Sequence, residues 1–215
     1  MKVVLAGESV ELLAEKALWW LAERTLFIAD LHLGKAASFR ALGQPVPSGT
    51  TQDNLDRLSA LLDHHTAARI VFLGDFLHAA AAQQASVLNP VRLWRARHAE
   101  ASCLLVRGNH DSHAGDPPAD LRIDLVDEPW SLGPFMACHH PQQVAGRLVL
   151  AGHLHPTVTL QGPARDRQRL PAFWLSEGLL VLPAFGAFTG GSSQRVPPGT
   201  GCFAIGGGRV WQLPA

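Results

Sequence analysis

The sequence predicts an α/β protein built as a layered sandwich, and three observations predict it. Short apolar runs of strand length recur along the chain, helical patterns separate the early ones, and the second half is richer in strands and turns than the first. The runs are Thr25–Ala29, Arg69–Leu73, Cys103–Val106, Pro134–Cys138, Leu148–Ala151, Gly178–Leu182, Cys202–Ile205 and Val210–Leu213, and most of them read as buried strands. Within Thr51–His65, Leu55, Leu58, Leu61 and Leu62 recur at helical spacing with Asp53, Asp56 and Arg57 between them, and a second helical pattern covers Gln83–Ala99. Strand and helix thus alternate early, while strand and turn dominate late, which implies mixed rather than purely parallel sheets. Two segments read as loops: Ser112–Pro118 with its Gly-Asp-Pro-Pro, and Gly186–Gly201, which is long enough to carry a role of its own.

The chain has 215 residues, 47% hydrophobic and 17% charged, enough to bury a core of ordinary domain size. No repeat or linker divides it, so 1–215 reads as one domain. Its 18 basic and 18 acidic residues cancel, so overall charge advertises neither nucleic acid nor a membrane surface. The start reaches Gly7 and Glu8 before any apolar run suits a signal peptide, and nothing approaches the roughly 18 apolar residues of a membrane span. The expectation is a cytoplasmic protein with no membrane partner. Cys103, Cys138 and Cys202 lie far apart inside apolar runs, as small buried hydrophobes do and as the cysteines of a zinc knuckle or disulfide framework do not. The 11 histidines are many, and several stand beside Asp, Asn or Gly where apolar runs end. Metal binding and acid–base chemistry use such positions.

Five short motifs stand at those ends: Asp30-Leu-His32, Gly74-Asp75, Gly108-Asn109-His110-Asp111, His139-His140-Pro141 and Gly152-His153-Leu-His155. In an α/β fold the carboxyl ends of neighbouring strands face one crevice, so five loops can supply one site. In a strand-like Asp30-x-His32 or His153-x-His155, alternate side chains share a side and each pair can grip one ion. Oxygen and imidazole donors without thiolate favour Mn, Fe, Zn or Mg, and the two oxygens of Asp75 can bridge a pair of ions. His139 follows its strand-like run most directly and is favoured as the ligand, with His140 as a supporting or substrate contact; the converse assignment leaves the chemistry unchanged. His64, His65, His78, His98 and His113 have no motif partner and read as surface or supporting residues, His78 least clearly because it closes the Gly-Asp loop.

The order of motifs from Asp30 to His155 resembles the calcineurin-like metallophosphoesterase superfamily, and the four-residue Gly-Asn-His-Asp alone is expected by chance in roughly one chain in a thousand. The resemblance implies a layered α/β/β/α sandwich with two mixed β-sheets flanked by helices. It implies that Asp30, His32 and His155 hold one metal, that Asn109, His139 and His153 hold the other, that Asp75 bridges them, and that His110 is the catalytic imidazole. Two cations about 3.5–4 Å apart lower the pKa of a shared water, aim the bridging hydroxide in line at phosphorus and clamp the phosphate oxygens. His110, with Asp111 beside it as an orienting carboxylate, is suited to stabilise the developing charge or protonate the leaving oxygen.

The runs from Ala29 to Arg40, Pro45 to Thr51 and Leu182 to Gly191 are similar to the bacterial ligase-associated DNA-damage-response metallophosphoesterases, the PdeM family. That similarity implies a manganese-dependent phosphodiesterase or endonuclease in DNA repair, with DNA as substrate and an ATP-dependent DNA ligase and a DEXH-box helicase as functional partners. Lys35 and Arg40 follow the first metal motif, where they either reach a phosphate beside the metals or are solvated charges. The Arg165-Asp-Arg167-Gln-Arg169 cluster reads as a solvated loop before a nucleic-acid contact, and Gly186–Gly191, without a P-loop lysine, as a turn packed near the site. Two other function classes stay open. A small-molecule phosphodiesterase or phosphatase, for example on cyclic nucleotides, suits the neutral charge; a non-catalytic repair scaffold does not need His110.

Overall fold

A computed structural model describes residues 1–46, 49–163, 166–192 and 194–214. Pro47 and Ser48 of the Pro45–Thr51 run and Arg165 of the arginine cluster lie outside the described residues. The chain forms two sheets. The first is seven-stranded: β1 (Lys2–Leu5), β2 (Glu8–Leu12), β3 (Ala17–Trp20), β4 (Thr25–Ile28), β5 (Arg69–Leu73), β6 (Ser102–Val106) and β7 (Ile123–Val126), in that spatial order. β1 to β4 pair antiparallel and β4 to β7 parallel. The second holds β8 (Trp130–Leu132), β9 (Phe135–Ala137), β10 (Leu148–Ala151), β11 (Thr157–Gln161), β12 (Arg167–Ser176), β13 (Leu179–Val181), β14 (Gly201–Gly206) and β15 (Arg209–Gln212). Its centre, β9-β10-β13, is parallel and the rest antiparallel.

The expected early alternation of strand and helix begins only at β4. Before it comes an antiparallel meander of short strands, in which polar residues alternate with buried ones (Ser9 and Glu11 against Val10 and Leu12 in β2) and so hide the strand from a search for continuous apolar runs. β4, β5 and β6 are apolar on both faces because both are covered. Ile28, Ile70, Phe72 and Leu105 meet the helices, while Phe27, Val71, Leu73 and Val106 meet Phe135, Leu150, Leu180 and Phe203 of the second sheet. Four helices are described: α1 (Lys35–Ala41), α2 (Thr50–His65), α3 (Ala85–Arg97) and α4 (Asn109–Ala114). α2 buries the anticipated Leu55, Leu58, Leu61 and Leu62 against that first face, each contributing about 1.5–3 kcal/mol of transfer energy. It ends at Thr66, whose left-handed backbone (φ 48) donates back to the Leu62 carbonyl.

Register brings the site together. Ile28 pairs with Phe72 and Phe72 with Leu105 in parallel, so β4, β5 and β6 end level. β9 and β10 likewise end level, Leu150 facing Ala137. The two sheets join at this edge through a parallel bridge between Ala29 and Ala184 and a 2.9 Å bond from Phe185 N–H to the Ala29 carbonyl.

Candidate metal centre

All five motifs meet where these strands end. Asp30, His32, Asp75, His153 and His155 share a left-handed backbone, with φ of 54, 48, 51, 69 and 47°. This corrects the strand-like reading of Asp30-x-His32 and His153-x-His155. Each left-handed residue costs roughly 1–2 kcal/mol and persists only where neighbours over-determine it. Here the β4 and β5 loops run on side by side: Asp30 N–H donates to Gly74 (3.3 Å), His32 N–H to Asp75 (2.8 Å) and Leu33 N–H to Phe76 (2.8 Å). The Asp30 carboxylate in turn accepts His153 N–H at 3.1 and 3.0 Å. The sharp turns also split the second pair between two clusters.

In the first cluster, donor atoms of Asp30, His32 and His155 lie within 4.8 Å of one another, with His32 Nε2 3.3 Å from His155 Nε2. In the second, His139 Nε2 lies 2.9 Å from Asn109 Oδ1 and 3.1 Å from His153 Nδ1. Asp75 stands between them, Oδ2 3.6 Å from His32 Nε2 and Oδ1 3.4 Å from His139 Nε2. Asp30, Asp75, His32 and His139 are buried. His139 Nδ1 lies 3.0 Å from the Leu73 carbonyl and His155 Nδ1 3.1 Å from that of Gly190. Protons on those nitrogens leave both Nε2 lone pairs facing the centre. His32 is held far below the usual imidazole range by burial, then by Lys35 and the neighbouring histidines; burial, His139 and His140 lower His153 too. Buried carboxylates facing neutral imidazoles and an amide oxygen leave lone pairs opposed to lone pairs, an arrangement that suits a dinuclear divalent centre.

The calcineurin-like phosphoesterase profile matches residues 23–152, spanning four of these motifs whole and the opening glycine of the fifth. The chain is a calcineurin-like phosphoesterase. A crystal structure of the Pseudomonas putida nuclease MPE is similar to it, with 44% identity, a TM-score of 0.86 and coverage of 99% of both chains. A protein of unknown function from Aquifex aeolicus matches at 19% identity over 61% of this chain and 78% of its own, with a TM-score of 0.42. The E. coli phosphoesterase Yfce matches at 16% over 88% and 97%, with a TM-score of 0.43. No curated protein matches the sequence.

The metal-dependent phosphoesterase site holds residues in roles that motif reading did not assign. His78 belongs to it: its ring stacks on His110 (4.8 Å, 22°) and its Nδ1 lies 3.4 Å from His32 Nδ1. Burial, Lys35 and His110 bring the His78 pKa down to about 4. Only its place in the Gly-Asp loop hinted at this. Glu128 carries no motif at all, yet Oε2 accepts the N–H groups of His139 (2.6 Å) and His140 (2.8 Å), and Oε1 meets His140 Nδ1 at 2.6 Å. One carboxylate thus pins the His-His turn; these bonds outweigh burial and keep its pKa below the usual glutamate value. His139 is the inner histidine and His140 the half-exposed one, with its ring 4.5 Å from that of His153.

Asp111 is a correction. It does not orient His110, whose Nδ1 meets the His78 carbonyl at 2.7 Å. Both Asp111 oxygens are taken by backbone donors, Leu77 N–H and Gly108 N–H, each at 3.0 Å, so the carboxylate braces two motif loops from beneath. Lys35 opens α1 beside the centre; burial lowers its pKa, and Asp75 and Asp30 partly offset that. Arg40 lies in the last turn of α1, exposed. Gly74 permits a close approach: at φ 79° it sits against the His139 ring, and a Cβ there would enter the ring itself. The Gly186–Gly201 loop does pack on the site, since Gly190 orients His155 and Gly186 N–H donates to the Asp30 carbonyl at 3.2 Å.

Proposed function

We propose that this phosphoesterase uses two divalent ions, Mn2+ foremost, to hydrolyse phosphodiesters of DNA. The observation that carries the two-ion reading is Asp75, which turns one oxygen to each cluster. In this reading Asp30, His32 and His155 hold one ion, Asn109, His139 and His153 the other, and Asp75 both. Bound there, the ions supply Lewis-acid chemistry, activating water and offsetting charge on phosphate oxygens. His110 serves the leaving group. With its Nδ1 proton on the His78 carbonyl, Nε2 is the atom left to meet substrate and, when protonated, to pass a proton to the leaving oxygen. The Lys35 ammonium attracts the scissile phosphate to the same place.

The nuclease from Pseudomonas putida, 44% identical along the whole chain, supports a polynucleotide substrate. The resemblance of the Ala29–Arg40 and Leu182–Gly191 runs supports DNA, a repair role, and an ATP-dependent ligase and a DEXH-box helicase as functional partners. The test is manganese-dependent cleavage of bis(p-nitrophenyl) phosphate and of covalently closed single-stranded DNA by wild type, Asp75→Asn and His110→Ala. Wild type should cut both and the variants neither. Cleavage of the small diester alone would transfer the reading to a small-molecule phosphodiesterase, and ion binding without cleavage of either would point to a scaffold.

A further inference from the structure

Beyond His155 the surface opens into a cavity of about 230 Å³ lined by Lys16, Arg169, Thr189 and the Gly190-Gly191 backbone. Thr157 and Arg169 also line an adjoining hollow of about 670 Å³, which carries Arg167 and Arg195. Among the described residues, no aspartate or glutamate lines either one. In a chain whose charges cancel overall, four cations without an acid along one continuous hollow make a local field for anions.

The donors are arranged for such a ligand. Lys16 is half-buried in a left-handed turn (φ 68) and, among the described residues, makes no ion pair. Burial and the charge of Arg57 bring its pKa down to about 8, which an anion alongside would reverse. Arg169 donates to the Gly191 carbonyl, so the cavity wall is tied to the loop whose Gly190 carbonyl orients His155. The arginine cluster expected as a solvated loop is in part the start of β12, with Arg167 and Arg169 at the hollow.

We propose that this hollow is a subsite for the backbone phosphates that flank the scissile one in a single polynucleotide strand. Lys16 and Arg169 hold the nearest flanking phosphate, and Arg167 and Arg195 those further along. The proposal rests on the phosphodiesterase reading above, and it makes the enzyme prefer a strand to a lone diester.

The test compares kcat/KM on a single-stranded oligonucleotide with kcat/KM on bis(p-nitrophenyl) phosphate, which has no flanking phosphate. Lys16→Asn, whose side chain tolerates a left-handed backbone, should lower that ratio about tenfold, and the triple variant with Arg167→Gln and Arg195→Gln about a hundredfold, chiefly through KM. Each phosphate contact removed should also flatten the salt dependence, by roughly 0.7 in the log–log slope for a single strand. Lys16→Arg should restore most of the ratio. An unchanged ratio in the triple variant, or parallel losses on both substrates, overturns the subsite. Fluorescence anisotropy of the same oligonucleotide reads the subsite without turnover. If wild type cleaves neither substrate, the phosphodiesterase reading fails, while equal affinity of wild type and triple variant for the oligonucleotide overturns the subsite separately.

Discussion

Asp111 is fully buried and supplies both oxygens to backbone donors of two motif loops, Leu77 N–H and Gly108 N–H. Asp111→Ala removes both acceptors and strands both amides. A stranded buried donor costs about 1–3 kcal/mol. Burial already pushes the Asp111 pKa up, so deleting the carboxylate also returns a desolvation penalty, and the net loss settles near the lower end, at about 2–4 kcal/mol. With a urea m-value of about 2–3 kcal/mol/M for a chain of this size, the unfolding midpoint should fall by about 1 M. Asp111→Asn keeps one acceptor oxygen but turns an amide nitrogen toward the second donor, and should fall about half as far. Tryptophan fluorescence in chelator reads the transition without a contribution from bound ions. The pH–rate profile on bis(p-nitrophenyl) phosphate separates bracing from acid–base tuning: a carboxylate that tuned the catalytic groups would shift the profile in Asp111→Asn, whereas a brace leaves its shape in place. An Asp111→Ala midpoint within about 0.3 M of wild type would refute the reasoning.

Gly74→Ala forces a Cβ into the buried His139 ring at a left-handed position; if the proposed two-ion site is right, elemental analysis should find about two ions per chain in wild type and close to one in the variant, and an equal ion content would contradict it. Glu128→Gln places an amide among three donors and should weaken Mn2+ activation about 10- to 100-fold with little change in saturated rate, read from the Mn2+ dependence of activity. Burial pushes the Cys103 thiol up to about 11, so iodoacetamide at pH 8 should label it only after unfolding, as mass spectrometry will show. Because that value lies above the unfolded one, the thiol's contribution is intact below about pH 9 and is lost as pH rises towards 11.

Much of the architecture was legible in local pattern. Leu55, Leu58, Leu61 and Leu62 mark α2 within a residue of its bounds, and Arg69–Leu73 and Leu148–Ala151 match β5 and β10. Side-chain period and runs of buried residues are properties of neighbours along the chain, so they survive without knowledge of the fold. The motif residues were legible for a related reason: Asp, Asn and His crowded beside glycine at strand ends serve packing poorly and chelation well. Three things were not legible. The left-handed backbones of Asp30, His32, Asp75, His153 and His155 depend on bonds between loops 43 or more residues apart. Glu128 stands in no motif and acts through a turn 11 residues away. Asp111, adjacent to His110 in sequence, points instead at Leu77 and Gly108. Composition and spacing name the groups a chain can bring to a site; which oxygen meets which proton depends on strand register and loop path, and those are settled by burial across the whole molecule.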